Sequence, residues 1–185
     1  MGQPTLRTLR LVLRPYSLAD INDLCRLAGA REVAATTLRI PHPYREQDAV
    51  EFINTCLAEI ARGSCARFAI ARFDGGQLCG GIGLRIDPIP AERNAELGFW
   101  LGVPYWGQGY ATEAAQAVVR YAIDTLGLHR VYAFHFAHNH ASGRVLRKIG
   151  MRYEGRLREN IYKWGRFYDS DLYAMLASDP VLQRA

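Results

Sequence analysis

The chain has 185 residues and a formal net charge of +5, with 49% hydrophobic and 22% charged residues. This length and composition suit one domain, so we expect a single domain over residues 1–185 with its core at about 6–176. Because the charges are spread along the chain, they form no basic arm of the kind that binds nucleic acid, although the surplus suits an anionic small ligand.

The first half of the chain combines a strand with amphipathic helices. Alternating apolar and polar residues at 9–14 predict a strand, and a short helix is expected over 17–28. Residues 36–44 contain two prolines and predict a loop. Apolar residues at helical spacing over 46–62 then predict a longer helix with one apolar face.

Three strands are expected in the middle of the chain, over 65–73, 77–86 and 94–101. The first two are joined by Asp74-Gly75-Gly76, whose residues tolerate the positive φ angles of a hairpin turn. In the second strand, alternation places Leu78, Ile82, Leu84 and Ile86 on one face. It places Cys79, Gly81, Gly83 and Arg85 on the opposite face. In the third strand, Ala95, Leu97, Phe99 and Leu101 are expected on one face, and Glu96, Gly98 and Trp100 on the other.

The second half of the chain predicts a helical crossover and a final hairpin. A helix that ends at Gly127 is followed by a buried strand over 130–137 and a shorter helix over 139–149. Two last strands, over 152–158 and 167–175, form a hairpin. The element order predicts a mixed α+β domain with a central, mostly antiparallel twisted sheet of about seven strands flanked by about four helices.

The run from Leu101 to Ala114 changes from an apolar strand to a glycine-spaced loop and then to a helix. Gly107 and Gly109 remove side chains that would keep a ligand away from the backbone, and the first turn of the helix has free N–H groups. Such groups suit phosphate oxygens. The spacing matches neither a nucleoside-triphosphate loop nor the three-glycine dinucleotide pattern, and a plain structural turn is the alternative.

Four cysteines, at positions 25, 56, 65 and 79, show no Cys-x-x-Cys spacing. We interpret them as reduced thiols in a cytoplasmic protein, since disulfides are rare in that compartment. Neither a signal peptide nor an apolar run of about 18 residues is present, so no membrane partner is expected.

Three ordered blocks resemble the GNAT superfamily of N-acetyltransferases. They are the strand Glu96–Leu101, the loop Trp106–Ala111 and the segment Asn139–Met151. More narrowly, the chain resembles the Rim-type (RimJ/RimL) enzymes, which acetylate the N-terminal amine of ribosomal proteins, and the likeness covers about residues 6–176. The family's loop often begins with arginine or glutamine, whereas this chain has Trp106.

The resemblance implies an acyltransferase that takes acetyl-coenzyme A as donor, uses no metal, and acts on an amine acceptor such as a protein N-terminus. It assigns the pyrophosphate of the cofactor to the glycine loop and the pantetheine arm to the preceding strand, which the arm would join as an added strand. The implied cofactor-binding residues are Phe99, Trp100, Leu101, Trp106, Gly107, Gln108, Gly109, Tyr110, Ala111 and Asn139.

The resemblance also implies two catalytic side chains. Glu96 is the candidate base, because the amine must be neutral to attack, and Ser142 is the candidate proton donor for the departing thiolate. The structural alternatives are a strand carboxylate that is exposed or paired with an arginine, and an ordinary helix cap made by Asn139 and Ser142. Many members of the superfamily use a tyrosine in place of the serine, and the tyrosines available here are Tyr110, Tyr121, Tyr132 and Tyr153.

Other interpretations of the sequence stay open. The acceptor could be a small amine or an aminoglycoside-like molecule, and a non-catalytic module that binds acyl-coenzyme A is the rival class. A homodimer is compatible with free sheet edges, and no nucleic-acid partner is expected. Alternation places the histidines that crowd one region on different faces, so no metal site is expected from His129, His135, His138 and His140.

Overall fold

An eight-stranded sheet runs through the computed structural model of the chain, which describes residues 3–89 and 91–179. Its strands are β1 (Leu6–Arg7), β2 (Leu11–Arg14), β3 (Cys65–Arg72), β4 (Leu78–Ile86), β5 (Asn94–Leu101), β6 (Arg130–Phe136), β7 (Arg152–Lys163) and β8 (Arg166–Leu176). The α-helices of the described residues are α1 (Ile21–Ala28), α2 (Arg31–Thr36), α3 (Glu46–Ala61), α4 (Tyr110–Arg120) and α5 (His140–Lys148).

The strand order is β1-β2-β3-β4-β5-β6-β8-β7, and only β5 and β6 are parallel neighbours. A parallel pair needs a crossover connection, and α4 provides it. The parallel register is short, from Asn94 opposite Arg130 to Glu96 opposite Tyr132. The two strands separate beyond this point, which opens the middle of the sheet.

The predicted mixed α+β fold with a mostly antiparallel sheet is confirmed, but the counts differ slightly. The additional strand β1 has two residues and the additional helix α2 has six, so neither is long enough to show a periodic pattern. The final hairpin is also longer than expected, because β7 continues to Lys163. None of the described helices has the length and apolar character needed to cross a membrane.

An apolar core lies on each face of the sheet. The core under α4 and α5 contains Leu97 and Leu146, with Phe99 packed against it. The core under α1 and α3 contains Leu24 and Ile53, and Trp100 packs against that one. The alternation predicted for β5 is therefore correct.

The alternation predicted for β4 is wrong at its first residues. Ile70 pairs with Gly80 and Ala71 with Leu78, so Cys79 is an extra residue in a β-bulge. The bulge reverses the two faces, since Leu78 packs in the core under α1 and α3 while Cys79 packs in the other. Leu78 and Cys79 are both apolar, so the sequence alone does not show where the two faces exchange.

An ion pair fixes the turn between β2 and α1. Arg14 donates two hydrogen bonds to the Asp20 carboxylate, at 2.8 and 2.6 Å, and the Ser17 backbone N–H donates a third at 2.8 Å. Burial alone would raise the pKa of the Asp20 carboxyl, but hydrogen bonds from Arg14 and Ser17 outweigh it and hold that pKa below its ordinary value. The folded state therefore prefers the ionised carboxylate.

Asp20→Asn is expected to lower the free energy of unfolding by about 2–3 kcal/mol at neutral pH, because Arg14 loses its charged partner. The pKa is lower in the folded state, so the wild-type pair stabilises the fold above the unfolded-state pKa of about 4, and this contribution is lost as pH falls through the folded pKa. Denaturant unfolding at about pH 7 and about pH 3 should show the difference between the two proteins shrinking at low pH.

Asp23→Asn is the control for that measurement. Asp23 pairs with Arg26 on the surface of α1, so the loss should stay under about 1 kcal/mol. Equal losses in the two variants would contradict a special role for the buried pair.

Candidate active site

A cavity of about 650 Å³ lies where β5 and β6 separate. Phe99, Ser142 and Leu146 line it from the face that carries α4 and α5, whereas Glu96 and Trp100 line it from the opposite face. The cavity therefore connects the two faces of the sheet through the opening between the strands.

One edge of β5 is free along this cavity. On its other side β5 pairs with β4 as far as Leu101, which lies opposite Gly80, whereas its register with β6 ends at Glu96. The backbone groups of this stretch that point away from β4, those of Phe99 among them, are thus open to an extended polar chain that adds to the edge, whereas the Leu101 carbonyl oxygen accepts from Trp106. Phe99, Trp100 and Leu101, for which the resemblance implied contact with a pantetheine arm, belong to this strand, and the contact stays a prediction.

The glycine loop precedes α4 outside the cavity. Gly107 and Gly109 have φ angles of +75° and +83°, and Gly109 is the N-cap of the helix. Across residues 3–89 and 91–179, no protein acceptor meets the backbone N–H groups of residues 107–111. These free donors and the positive end of the helix dipole fit the pyrophosphate of an acyl-coenzyme A.

Side chains of the loop turn back onto the protein. The Trp106 indole N–H donates to the Leu101 carbonyl oxygen at 2.7 Å, and the Gln108 amide donates to the Pro104 carbonyl oxygen at 2.8 Å. The side chain of Tyr110 is buried in the core. The loop therefore offers backbone groups rather than these side-chain donors, and Trp106 joins the loop to the end of β5.

Arg10 braces the same loop, although the sequence did not single it out. Its guanidinium donates to the Gln108 carbonyl oxygen at 3.0 Å and to the Glu113 carboxylate at 2.7 Å. It also lies over the Tyr110 ring, 4.7 Å from the ring centroid. These contacts of Arg10 join residues about a hundred positions apart, so no local sequence pattern indicates them.

Glu96 lies on the cavity wall and is also paired with arginine. Arg85 donates from Nε at 3.1 Å and through a second nitrogen, and Arg39 lies 3.9 Å away. All of these contacts reach Oε2, and no hydrogen bond to Oε1 occurs within the described ranges. The arginine-paired carboxylate considered from the sequence is therefore present, with its second oxygen left for another donor.

Asn139 and Ser142 form the helix cap considered from the sequence. The Asn139 side-chain oxygen accepts the Ser142 backbone N–H at 3.3 Å, and the Asn139 side-chain NH₂ donates to Ser142 Oγ at 3.0 Å. Because Oγ accepts this bond, its hydroxyl hydrogen stays available as a donor. Ser142 lines the cavity while Asn139 does not, so Asn139 orients the serine.

The tyrosines named as alternative donors lie elsewhere. Tyr16 and Tyr44 are the tyrosines on the cavity wall within the described chain. The Tyr132 hydroxyl donates to Asp87 at 3.0 Å, and burial with this hydrogen bond raises the pKa of Tyr132 to about 12. Ser142 is thus better placed than the four tyrosines to donate a proton inside the cavity.

The crowded histidines do not converge. His135 packs beneath α5, where a side chain on Gly143 would come within 2.8 Å of its Nε2, and His138 stacks on Phe136 and Tyr168. In the part of the chain that the structure describes, no three His, Cys, Asp or Glu side chains are grouped to hold a metal.

Comparison with known families decides the identity of the fold. A family model described as an acetyltransferase (GNAT) domain matches residues 10–152. The chain belongs to the GNAT family. Acetyl-coenzyme A is accordingly the co-substrate of an N-acetyltransferase, and the resemblance to Rim-type enzymes is confirmed at the level of the family and its neighbours.

Two curated GNAT relatives show the range of similarity. The N-acetyltransferase YoaA of Bacillus subtilis is 32% identical over 173 residues, which cover 94% of this chain and 97% of YoaA. The ribosomal protein uS5-alanine N-acetyltransferase of Escherichia coli is 32% identical over 83 residues, which cover 45% of this chain and 43% of that one.

A solved structure shows the same GNAT fold. RimJ of Mycobacterium smegmatis, in complex with CoA-disulfide, superposes with a TM-score of 0.87 at 23% identity. The match covers 100% of this chain and 95% of that one.

Lys163, at the tip of the final hairpin, holds a loop of the GNAT cavity. Its buried ammonium donates to the backbone carbonyl oxygens of Thr37, Leu38 and Ile40, at 2.6, 3.4 and 3.3 Å. These loop residues line the cavity, and burial lowers the pKa of the ammonium. The contact joins residues more than 120 positions apart, so no local sequence pattern indicates it.

Lys163→Met should free this loop, because the variant keeps the apolar stem but removes all three hydrogen bonds. Amide hydrogen exchange at residues 37–40 should become at least about tenfold faster, which corresponds to about 1.4 kcal/mol of local protection. Arg166→Met is the control, since Arg166 is exposed on the same hairpin and contacts Tyr168 instead. Unchanged exchange at 37–40 in the lysine variant would show that the loop is held by other contacts.

Proposed function

We propose that this enzyme transfers acetyl from acetyl-coenzyme A directly to the α-amine of a protein N-terminus. One observation carries the proposal, namely the cavity that Glu96 and Ser142 share from opposite faces of the sheet. A thioester on the free edge of β5 would meet Ser142 on one side of the opening. An amine entering from the α1 and α3 side would meet Glu96 on the other.

In the proposed mechanism, Glu96 accepts one proton and Ser142 donates one. Glu96 Oε1 accepts a proton from the amine, which can then attack the thioester carbonyl carbon. An N-terminal amine has a pKa of about 8, so a modest base is sufficient. As the carbon–sulfur bond breaks, the Ser142 hydroxyl donates its hydrogen to the departing sulfur. It regains a proton from the former amine nitrogen, which loses its second proton on becoming an amide, and Asn139 keeps Oγ in position.

The choice of a protein N-terminus rests on relatives and on the shape of the site. The E. coli relative acts, by its name, on an alanine of ribosomal protein uS5. The acceptor side of the cavity is bordered by α1, α3, the loop after α2 and the strand β7. Such an open border suits a chain that continues outward from its first residue. We further propose that the enzyme works in the cytoplasm, in line with its four free cysteines.

A panel of acceptors tests the proposal. Purified protein is incubated with acetyl-coenzyme A and N-terminal peptides, a polyamine or an aminoglycoside, while release of free thiol is followed. Turnover with peptides that disappears when their α-amine is blocked supports the proposal. Turnover with only the polyamine or the aminoglycoside would move the acceptor to small amines, and tight cofactor binding without any turnover would indicate a binding module.

A further inference from the structure

Glycines form the floor of the acceptor side of the cavity. In the pairing of β4 with β5, Gly83 lies opposite Gly98 and Gly81 lies opposite Trp100. All three glycines line the cavity, so the sheet presents bare backbone there. The acceptor side is deep because these positions carry no side chain.

The three glycines differ in what a side chain would meet. A Cβ on Gly81 would lie 1.9 Å from the Tyr16 hydroxyl, and a Cβ on Gly83 would lie 2.7 Å from the Ala66 carbonyl oxygen. A Cβ on Gly98 would meet nothing within 4 Å, and Gly98 has no positive φ angle. Gly98 is therefore the floor position where a larger residue fits the backbone and fills the cavity.

Aromatic side chains form the walls above this floor. Tyr16 and Phe52 pack edge to face, with ring centroids 5.1 Å apart, and the Trp100 indole lies beside the Tyr16 hydroxyl. Tyr44 and Phe134 add two further aromatic rings to the lining. We call this compartment, with its glycine floor and its aromatic walls, the aromatic chamber.

Most of the charged groups that border the interior of the aromatic chamber are paired. Glu59 pairs with Arg67 at 2.6 Å, and Glu96 Oε2 is held by Arg85, with Arg39 at 3.9 Å. Two further carboxylates lie on α3 at the rim, where Asp48 accepts the Arg45 backbone N–H at 2.6 Å and Glu51 is exposed. The interior thus offers aromatic surface and mutually neutralised ion pairs, which favour an uncharged occupant over a charged one.

We propose that the aromatic chamber binds a bulky, uncharged side chain next to the reacting amine, and that Gly98 sets its size. This inference rests on the proposed function and names its substrate class, which is N-termini that begin with a large apolar or aromatic residue. The side chain buries apolar area in the chamber while the amine reaches Glu96 on the same strand. A first residue such as glycine gains none of this burial.

Peptides that differ only in their first residue test the inference. The wild type should show kcat/KM at least about tenfold higher for Phe or Leu than for Gly, Asp or Lys, since burying such a side chain is worth more than about 1.4 kcal/mol. Gly98→Leu should reverse the order, so that Gly-initiated peptides become the better acceptors. Gly98→Ala, the matched control, adds one methyl group and should keep the wild-type order.

Two further measurements keep the outcome decisive. Acetyl-coenzyme A affinity and thermal unfolding show whether Gly98→Leu disturbs the cofactor or the fold. If it does, Phe52→Ala decides, because a larger chamber should shift preference from Phe toward a naphthyl or Trp first residue. Wild-type turnover without a preference for bulky first residues would overturn this inference alone, whereas no turnover of any peptide would overturn the proposed function.

Discussion

Replacing Glu96 with glutamine should lower kcat for acetyl transfer by about 10²–10⁴-fold, the range typical for loss of a general base. The amide keeps the shape of the side chain and an oxygen for Arg85, but it cannot accept the proton of the amine. The affinity for acetyl-coenzyme A should stay within about twofold, because the loop and the β5 edge that we expect to hold the cofactor are untouched. Steady-state kinetics with a peptide acceptor and calorimetry with acetyl-coenzyme A measure the two quantities.

A matched control separates this role from a structural one. Glu154 is also a strand carboxylate paired with an arginine, in this case Arg130, and it does not line the cavity. Glu154→Gln should therefore resemble Glu96→Gln in its effect on thermal unfolding and differ in kcat. If both variants keep wild-type kcat, Glu96 is a structural ion-pair partner and the base must be sought elsewhere.

Long periodic segments allowed much of the fold to be predicted. The helix expected over 46–62 is observed at Glu46–Ala61, and the strand over 94–101 is observed at Asn94–Leu101. Such segments repeat their apolar pattern several times, so packing and local preference agree. The helix α2 and the bulge at Cys79 each rest on a few residues and on tertiary contacts, which single-sequence patterns do not contain.

The candidate site could likewise be predicted only in part. Its backbone features, the glycine loop and the strand before it, depend on glycine spacing and alternation and could be placed from the sequence. Its side-chain partners could not, because each pair joins distant or unregistered segments. Arg85 faces Glu96 only through the register of β4 with β5, and the connection between these strands has no turn pattern that fixes this register.

The contacts of Lys163 could not be predicted from the sequence either, because they join segments that are far apart in the chain. A lysine in a hairpin strand is most often exposed, whereas Lys163 is buried and follows an irregularity in the pairing of β7 with β8. Leu157 and Ile161 on β7 lie opposite Ser170 and Tyr168 on β8, so β7 carries two extra residues between them. Bulges of this kind bend a strand, and the end of this hairpin reaches the loop after α2.

Gly109→Ala should weaken acetyl-coenzyme A binding by at least about tenfold. The residue has a φ angle of +83°, and a left-handed backbone costs about 1–2 kcal/mol for a residue with a Cβ. The loop can relieve this strain only by moving the N–H groups of residues 107–111 away from the phosphate oxygens they are expected to bind. Calorimetric titration of each variant with acetyl-coenzyme A gives the change in affinity directly.

Gly127, at the other end of the crossover, is the control, because it has a similar positive φ angle and similar space for a Cβ. Its φ angle is +64°, and a Cβ there would come 3.4 Å from an arginine nitrogen of Arg93, just as a Cβ on Gly109 would come 3.4 Å from one of Arg10. The two alanine variants should lose similar stability, and only the Gly109 variant should lose affinity. Equal affinity in both would mean that the loop before α4 is a structural turn and that the pyrophosphate binds elsewhere.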